Sequence, residues 1–220
     1  MSTRARLAFV GACVVVAAVA AGPGYAGLVS SWSFDEAASG TGIALDAVGT
    51  NHGFFEGTAT YTAGLTGTGA ALLNHIPGDG VNVGNGGGDF SFTTGMSVEA
   101  LIQPGAALGA RTYEEVFRKD DGGNRILLSF QLNGSILSFG INDGTGYKEL
   151  DMPLDGASGR PTLAGLKDGS PHHIVATYDS PSGAKTLYVD GTPRYSTTVG
   201  AGVNMVSGGG SPAYIGNSLG

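Results

Sequence analysis

From residue 27 onward the chain never sustains an apolar period of three to four residues. Its apolar side chains recur instead in short runs, many of them alternating, cut by clusters of Gly, Asn, Asp and Ser. Alternation of this kind belongs to half-buried strands, whose successive side chains point to opposite faces. Runs so closely punctuated by turn residues predict an all-β antiparallel sandwich. In LVSSWSF (28–34), residues 28, 30, 32 and 34 share one face, which sends Trp32 and Phe34 into the core. The same reading predicts strands over 52–56, 70–74, 81–83, 97–103, 114–118, 125–132 and 135–142. It continues through 147–151, 172–179, 185–190, 194–199 and 213–216.

The 40 glycines among 220 residues follow no collagen triplet, so they read as turn residues. Two turns are specified chemically. Asn133-Gly134 separates ILLSFQL from SILSFGI, and Asp190-Gly191 closes LYVDG; both dipeptides favour the positive φ of tight hairpins. Leu187 and Val189 then share one face and Tyr188 and Asp190 the other. Pro193 lacks a backbone donor, which puts its strand at a turn or a sheet edge. Residues 153–171 read as a surface loop, and 84–88 and 208–210 as flexible connectors. No second domain and no internal repeat are visible.

Residues 1–26 differ from the rest. Arg4 and Arg6 precede an apolar run over 7–21, followed by Pro23-Gly24-Tyr25-Ala26. This is the order of a signal peptide, with small residues placed for a cut after Ala26 and a second possible cut at 18–20. The run is about 15 residues against the roughly 20 a membrane-spanning helix needs. The expectation is a signal peptide over 1–26, a secreted or cell-surface protein, and one domain over 27–220 with no membrane span.

Removing residues 1–26 leaves nine basic against eighteen acidic side chains, a net charge of −9, with the basic residues scattered. Such a surface repels nucleic acid and suits calcium or neutral sugars. The lone Cys13 lies inside the removed segment, so the remaining chain carries no disulfide and no thiolate-bound metal.

A retaining glycosidase needs two carboxylates about 5–5.5 Å apart, a spacing met on a strand by acids two or four residues apart. Glu114 and Glu115 are adjacent and face opposite ways, and Glu99 stands alone in 97–103. His172 and His173 diverge as strand neighbours and do not converge on a metal. Asp46 and Asn51 share a glycine-containing loop whose oxygens suit calcium or, as the simpler reading, turn formation by side chains that bond their own backbone. A sugar is met by an aromatic platform with polar groups around it. Tyr147, beside Asp143 and Lys148 in a Gly-rich turn, and Tyr113, near Arg111, are the candidates; as isolated exposed aromatics they are also ordinary surface.

Taken together, LVSSWSFDE (28–36), DAVGTNHG (46–53), TGTGAALL (66–73), GVNV (80–83) and FTTGMSVEALIQ (92–103) set a recognisable order. HHIVATYD (172–179), LYVDG (187–191) and AYIGN (213–217) complete it. In this order they resemble the laminin G-like members of the concanavalin A-like lectin and glucanase superfamily. The resemblance implies a two-sheet antiparallel jelly-roll sandwich, with LYVDG as one of its hairpins. It also points to the 46–51 loop as a metal position in some members, and to no catalysis, since the Glu-x-Asp-x-x-Glu run of related glucanases is absent. Two departures stand out. Pro171 occupies a position where the family commonly has tryptophan, and the final strand of the type Phe-x-Gly-x-Ile-Asp-Glu-Val-Arg-Ile-Tyr is lacking. The sandwich is therefore expected to lack its last strand and leave 28–34 without a backbone partner, as in a truncated product. The function expected is a non-enzymatic binding module for a glycan or another extracellular macromolecule. The alternatives are an adhesion module of a larger surface protein and, third, a glycoside hydrolase.

Overall fold

The computed structural model describes residues 9–18, 27–36, 42–74, 76–84 and 90–217. The proposed cut after Ala26 and most of the 84–88 connector lie outside the described residues.

The strands in chain order are β1 (Phe9–Ala18), β2 (Gly27–Trp32), β3 (Ile43–Ala44), β4 (Gly53–Glu56), β5 (Thr60–Ala63), β6 (Gly69–Leu73), β7 (Gly80–Val83) and β8 (Gly95–Gln103). They continue with β9 (Tyr113–Asp120), β10 (Arg125–Gln131), β11 (Ile136–Asn142), β12 (Tyr147–Pro153), β13 (His172–Asp179), β14 (Ala184–Val189), β15 (Thr192–Thr198) and β16 (Ala213–Gly216). They form two antiparallel sheets. The first runs β15-β14-β13-β8-β1-β6-β5, with β2 also on β1; the second runs β12-β11-β10-β9-β16-β7-β4-β3.

Period-two alternation explains how the sheets meet. The buried sets Met96, Val98, Ala100, Ile102 on β8 and Ile174, Ala176, Tyr178 on β13 face Ile126, Leu128, Phe130 on β10 and Leu137, Phe139, Ile141 on β11 across one core. Trp32 and Phe34 are fully buried as expected, but Leu28, read onto the same face, is exposed. Strand β2 ends at Trp32, and Phe34 takes a left-handed φ of 59°, so the alternation does not run through. Trp32 packs near Phe90, whose ring meets Phe117 edge-on at 5.8 Å.

Asp190 and Gly191 adopt φ of 52° and 72°, giving the two-residue hairpin expected between β14 and β15. Pro193 lies in β15, the edge strand. The Asn133-Gly134 turn is longer than a two-residue loop: Gln131 pairs with Ile136, and Leu132 joins Asn133 and Gly134 at positive φ. The 153–171 segment is not wholly irregular. It holds a short helix α1 (Leu163–Leu166), with the Thr162 hydroxyl accepting from the Gly165 N–H and Leu166 packed in the core. Strands β3 and β5, short and weakly apolar, were not anticipated.

The apolar run of the expected signal peptide forms β1. Along one side it pairs with β8; along the other it pairs first with β6, through Phe9 to Gly11, and then with β2, through Val14 to Ala18. Residues 28–32, expected to lack a backbone partner, therefore have one in β1.

Candidate functional site

The outer face of the second sheet carries an organised set of polar and aromatic side chains. Its order follows from the pairing register. Glu149, Gly140, Leu127, Arg118, Tyr214, Asn82 and Phe54 stand opposite one another in succession across β12, β11, β10, β9, β16, β7 and β4. A second row sets Asp151, Ser138, Ser129 and Glu115 side by side. A bulge between Leu128 and Ser129 lets Glu115 and Arg118 share this face although they are three residues apart.

The rows are tied together by charge-assisted bonds. Arg118 reaches Glu115 at 2.5 Å and Asp120 at 3.2 Å, and Arg125 reaches the same Asp120 oxygen at 3.1 Å. Burial disfavours the Arg118 charge, yet Glu115 and Asp120 prevail and hold the guanidinium above its ordinary value. Gln131 donates to Glu149 at 2.9 Å and Ser129 at 3.1 Å, and Ser138 donates to Asp151 at 2.6 Å. Asn82 donates to Glu56 at 2.9 Å and lies 3.4 Å from the Tyr214 hydroxyl.

Tyr147 belongs to this face. Its ring lies across Gly140, in space a Cβ would fill, with the Arg125 guanidinium 4.2 Å above its centroid. Burial, and then the Glu149 charge, push its phenol well above the ordinary range. Tyr113 stands on the same face at its far end, opposite Gln131 and 59% exposed. Asp143 is not brought to the face. It is buried at the end of β11 and accepts from the Thr145 N–H at 2.9 Å and hydroxyl at 2.7 Å. Burial alone raises its pKa, but these bonds outweigh it and leave the carboxyl below its usual range. It shapes the turn that presents Tyr147.

Arg118, Arg125, Glu149, Asp151, Asn82 and Tyr214 were not anticipated. Each sits at an outward position of a strand that was, but their adjacency depends on strand order. Glu149 and Asp151 also satisfy the two-residue spacing set out for paired carboxylates.

Asp46 and Asn51 do meet, in a loop clamped to β2. Asp46 accepts the N–H groups of Ser31 and Val48 at 3.0 Å on one oxygen and of Asn51 at 3.2 Å on the other. Asn51 donates to the Ser30 hydroxyl at 2.9 Å, and its carbonyl accepts the Trp32 indole N–H at 2.8 Å. Burial pushes the Asp46 carboxyl up, and the backbone bonds more than offset it, so its pKa lies below the ordinary value. Calcium takes six to eight oxygens, whereas the groups turned toward Asp46 are backbone N–H donors and the single hydroxyl of Ser30. The loop as folded performs turn chemistry. Asp46→Asn sets an amide donor against one of these N–H groups and is expected to cost about 2 kcal/mol in chemical denaturation. Added calcium is expected to leave the wild-type melting temperature unchanged; a rise of several degrees would assign the loop to the metal.

His172 and His173 diverge as expected, His172 onto Asp190 at 2.9 Å and His173 toward Glu99 at 3.3 Å. No described helix is long and apolar enough to cross a membrane.

Residues 77–220 match a laminin G-like family model described as the concanavalin A-like lectin/glucanases superfamily. No curated protein matches the chain. Among solved structures the chain is similar to domain 4 of AbnA, a GH43 extracellular arabinanase from Geobacillus stearothermophilus, in complex with arabinotriose. That likeness has a TM-score of 0.53 at 18% identity and covers 94% of this chain and 82% of that one. It is also similar to domains LG4-5 of the mouse laminin alpha1 chain, at a TM-score of 0.45 and 13% identity over 69% of this chain; the match spans 37% of that fragment.

Proposed function

The chain belongs to the concanavalin A-like lectin/glucanases superfamily, and from that premise we propose that it is an exported, non-enzymatic module that binds a neutral oligosaccharide on the outer face of its second sheet. The observation that carries this reading is the unbroken row from Glu149 through Arg118, Tyr214 and Asn82 to Phe54. A sugar offers hydroxyls that both donate and accept, beside C–H faces that pack on aromatic rings. The face around this row supplies carboxylate acceptors, guanidinium and amide donors, and the rings of Tyr214, Tyr147 and Phe54. Ion pairs along it hold these groups in place before a ligand arrives, which lowers the ordering cost of binding.

Export is supported by the basic, apolar and small-residue order of residues 4–26. Mass spectrometry of the exported protein is expected to find it beginning at Gly27.

Arabinotriose, present in the AbnA domain 4 structure, is a suitable first ligand, followed by a glycan array. Arg118→Ala and Tyr214→Ala are each expected to weaken binding about tenfold, the loss of one charge-assisted bond or one stacked ring. A wild-type protein that binds no glycan, or variants that bind unchanged while melting like the wild type, would overturn the reading.

One observation favours hydrolysis as a second reading. Glu149 and Asp151 share a strand face, and the Ser138 hydroxyl lies 2.6 Å from Asp151 and 3.5 Å from Glu149. Both acids are exposed, which leaves a bound glycosidic bond in water. Release of reducing sugar that disappears in Glu149→Gln would replace binding with catalysis.

A further inference from the structure

We infer that the first sheet contains a strand-acceptor slot, between β8 on one side and β6 and β2 on the other, which takes an extended uncharged segment of about eight residues. In the described chain β1 fills it. Eight residues of β1 are paired with β8, between Val10 and Ala18, and its opposite edge pairs with β6 and then β2. All ten residues of β1 lie within the apolar run 7–21 of the expected signal peptide, so the inference rests on the reading that residues 1–26 are removed on export. A cut after Ala26 severs this strand from the rest of the chain, and the slot is empty once it leaves.

The consequence follows from the ladder. Without β1, β2 keeps as backbone pairing only the bridge from Trp32 to Asp46 and the bond from the Ala47 N–H to the Ser31 carbonyl, β6 keeps only β5, and β8 keeps only β13, among the described strands. Three strand edges then present unpaired N–H and C=O groups beside the core, each a strong template for another strand. The chemistry of the occupant follows from the flanks. Val98, Ala100 and Ile102 on β8 and Trp32 on β2 are buried, so one face of any strand laid between them enters the core and excludes charge. An uncharged sequence rich in β-branched residues suits such a strand, and FVGACVVVAA of β1 is one. The slot would be filled by β-strand addition, in which main-chain bonds give affinity and alternate side chains give specificity.

The test uses the full chain with a specific protease site placed within residues 19–26. The folded protein is cut, then incubated with excess labelled peptide of residues 9–18 carrying a solubilising tail. The cut leader is expected to stay bound through gel filtration, to exchange for the labelled peptide, and to lower the melting temperature when it is stripped. A peptide with Val15→Pro, which cannot donate at a position paired with both Ser31 and Glu99, is expected to enter about tenfold less well, the cost of one lost ladder bond. A leader that departs on cutting with the melt unchanged, or a proline peptide that enters as well as the parent, would overturn the slot. An exported protein that still begins at Met1 would defeat the cleavage reading instead, and the exchange result would stand apart from it.

Discussion

Trp32→Ala is expected to lower the unfolding free energy by about 4 kcal/mol, toward the upper end of the range for large-to-small changes in a core. Trp32 is fully buried and is the single tryptophan of the chain. Its ring packs 6.3 Å from Phe90 and so reaches the Phe90, Phe92 and Phe117 cluster at the centre of the sandwich. Its N–H holds the Asn51 carbonyl at 2.8 Å, which ties the 46–51 loop to β2. Truncation therefore opens a cavity and releases a loop anchor together. Trp32→Phe keeps much of the apolar contact and loses the hydrogen bond, so about half the destabilisation is expected. Urea unfolding of the three proteins by circular dichroism checks this; a loss below about 1 kcal/mol for the alanine variant would mean that Trp32 does not anchor the core.

The second large effect is a dependence of stability on alkaline pH set by Lys185. Its ammonium group is fully buried beneath β14, reaches across the core, and donates to the carbonyls of Phe139 and Lys148 at 2.7 Å each. It lies 4.9 Å from the Phe139 ring. Burial depresses its pKa from 10.5 to about 8, against the opposing charges of Glu149, Asp151 and Asp143. Between these two values the unfolded chain holds a proton that the folded chain has released. Stability therefore rises with pH from about 8 toward 10, by roughly 2 kcal/mol if the linkage is not masked.

Tyrosines act in the opposite direction above that window. Tyr61, raised from 10 to about 12 chiefly by burial, keeps its proton in the folded state after the unfolded chain has lost it, so its contribution fades as pH passes through 10 to 12. A stability maximum near pH 10 is expected. Lys185→Met should remove the rise between pH 8 and 10 and retain the fall above it. An unchanged slope in that variant would show that another group carries the linkage.

Lys185 also illustrates what could be read in advance. Alternation through LYVDG put Leu187 and Val189 on the core face, and both are buried there. The same alternation places Lys185 on that face. A charge is tolerated at such a position because carbonyls of β11 and β12 meet it from the opposite sheet, and those partners lie 46 and 37 residues away in sequence. The Asp46 loop was legible as a cluster of turn residues. Its clamp onto Ser30, Ser31 and Trp32 was not, because the partners come from a separate strand.

Local chemistry in the sequence thus determined that this is an all-β antiparallel sandwich. It placed most strands within a few residues, specified the Asp190-Gly191 hairpin, and put Trp32 and Phe34 inside. These outcomes follow from period-two alternation and from the φ preferences of neighbouring residues. Strand order was decided only in the tertiary structure, since every strand edge offers the same backbone donors and acceptors and the choice among them rests on how the whole core closes. That choice set Arg118 beside Tyr214 and Asn82, made a face from residues dispersed between 54 and 214, and seated the apolar segment 9–18 within a sheet.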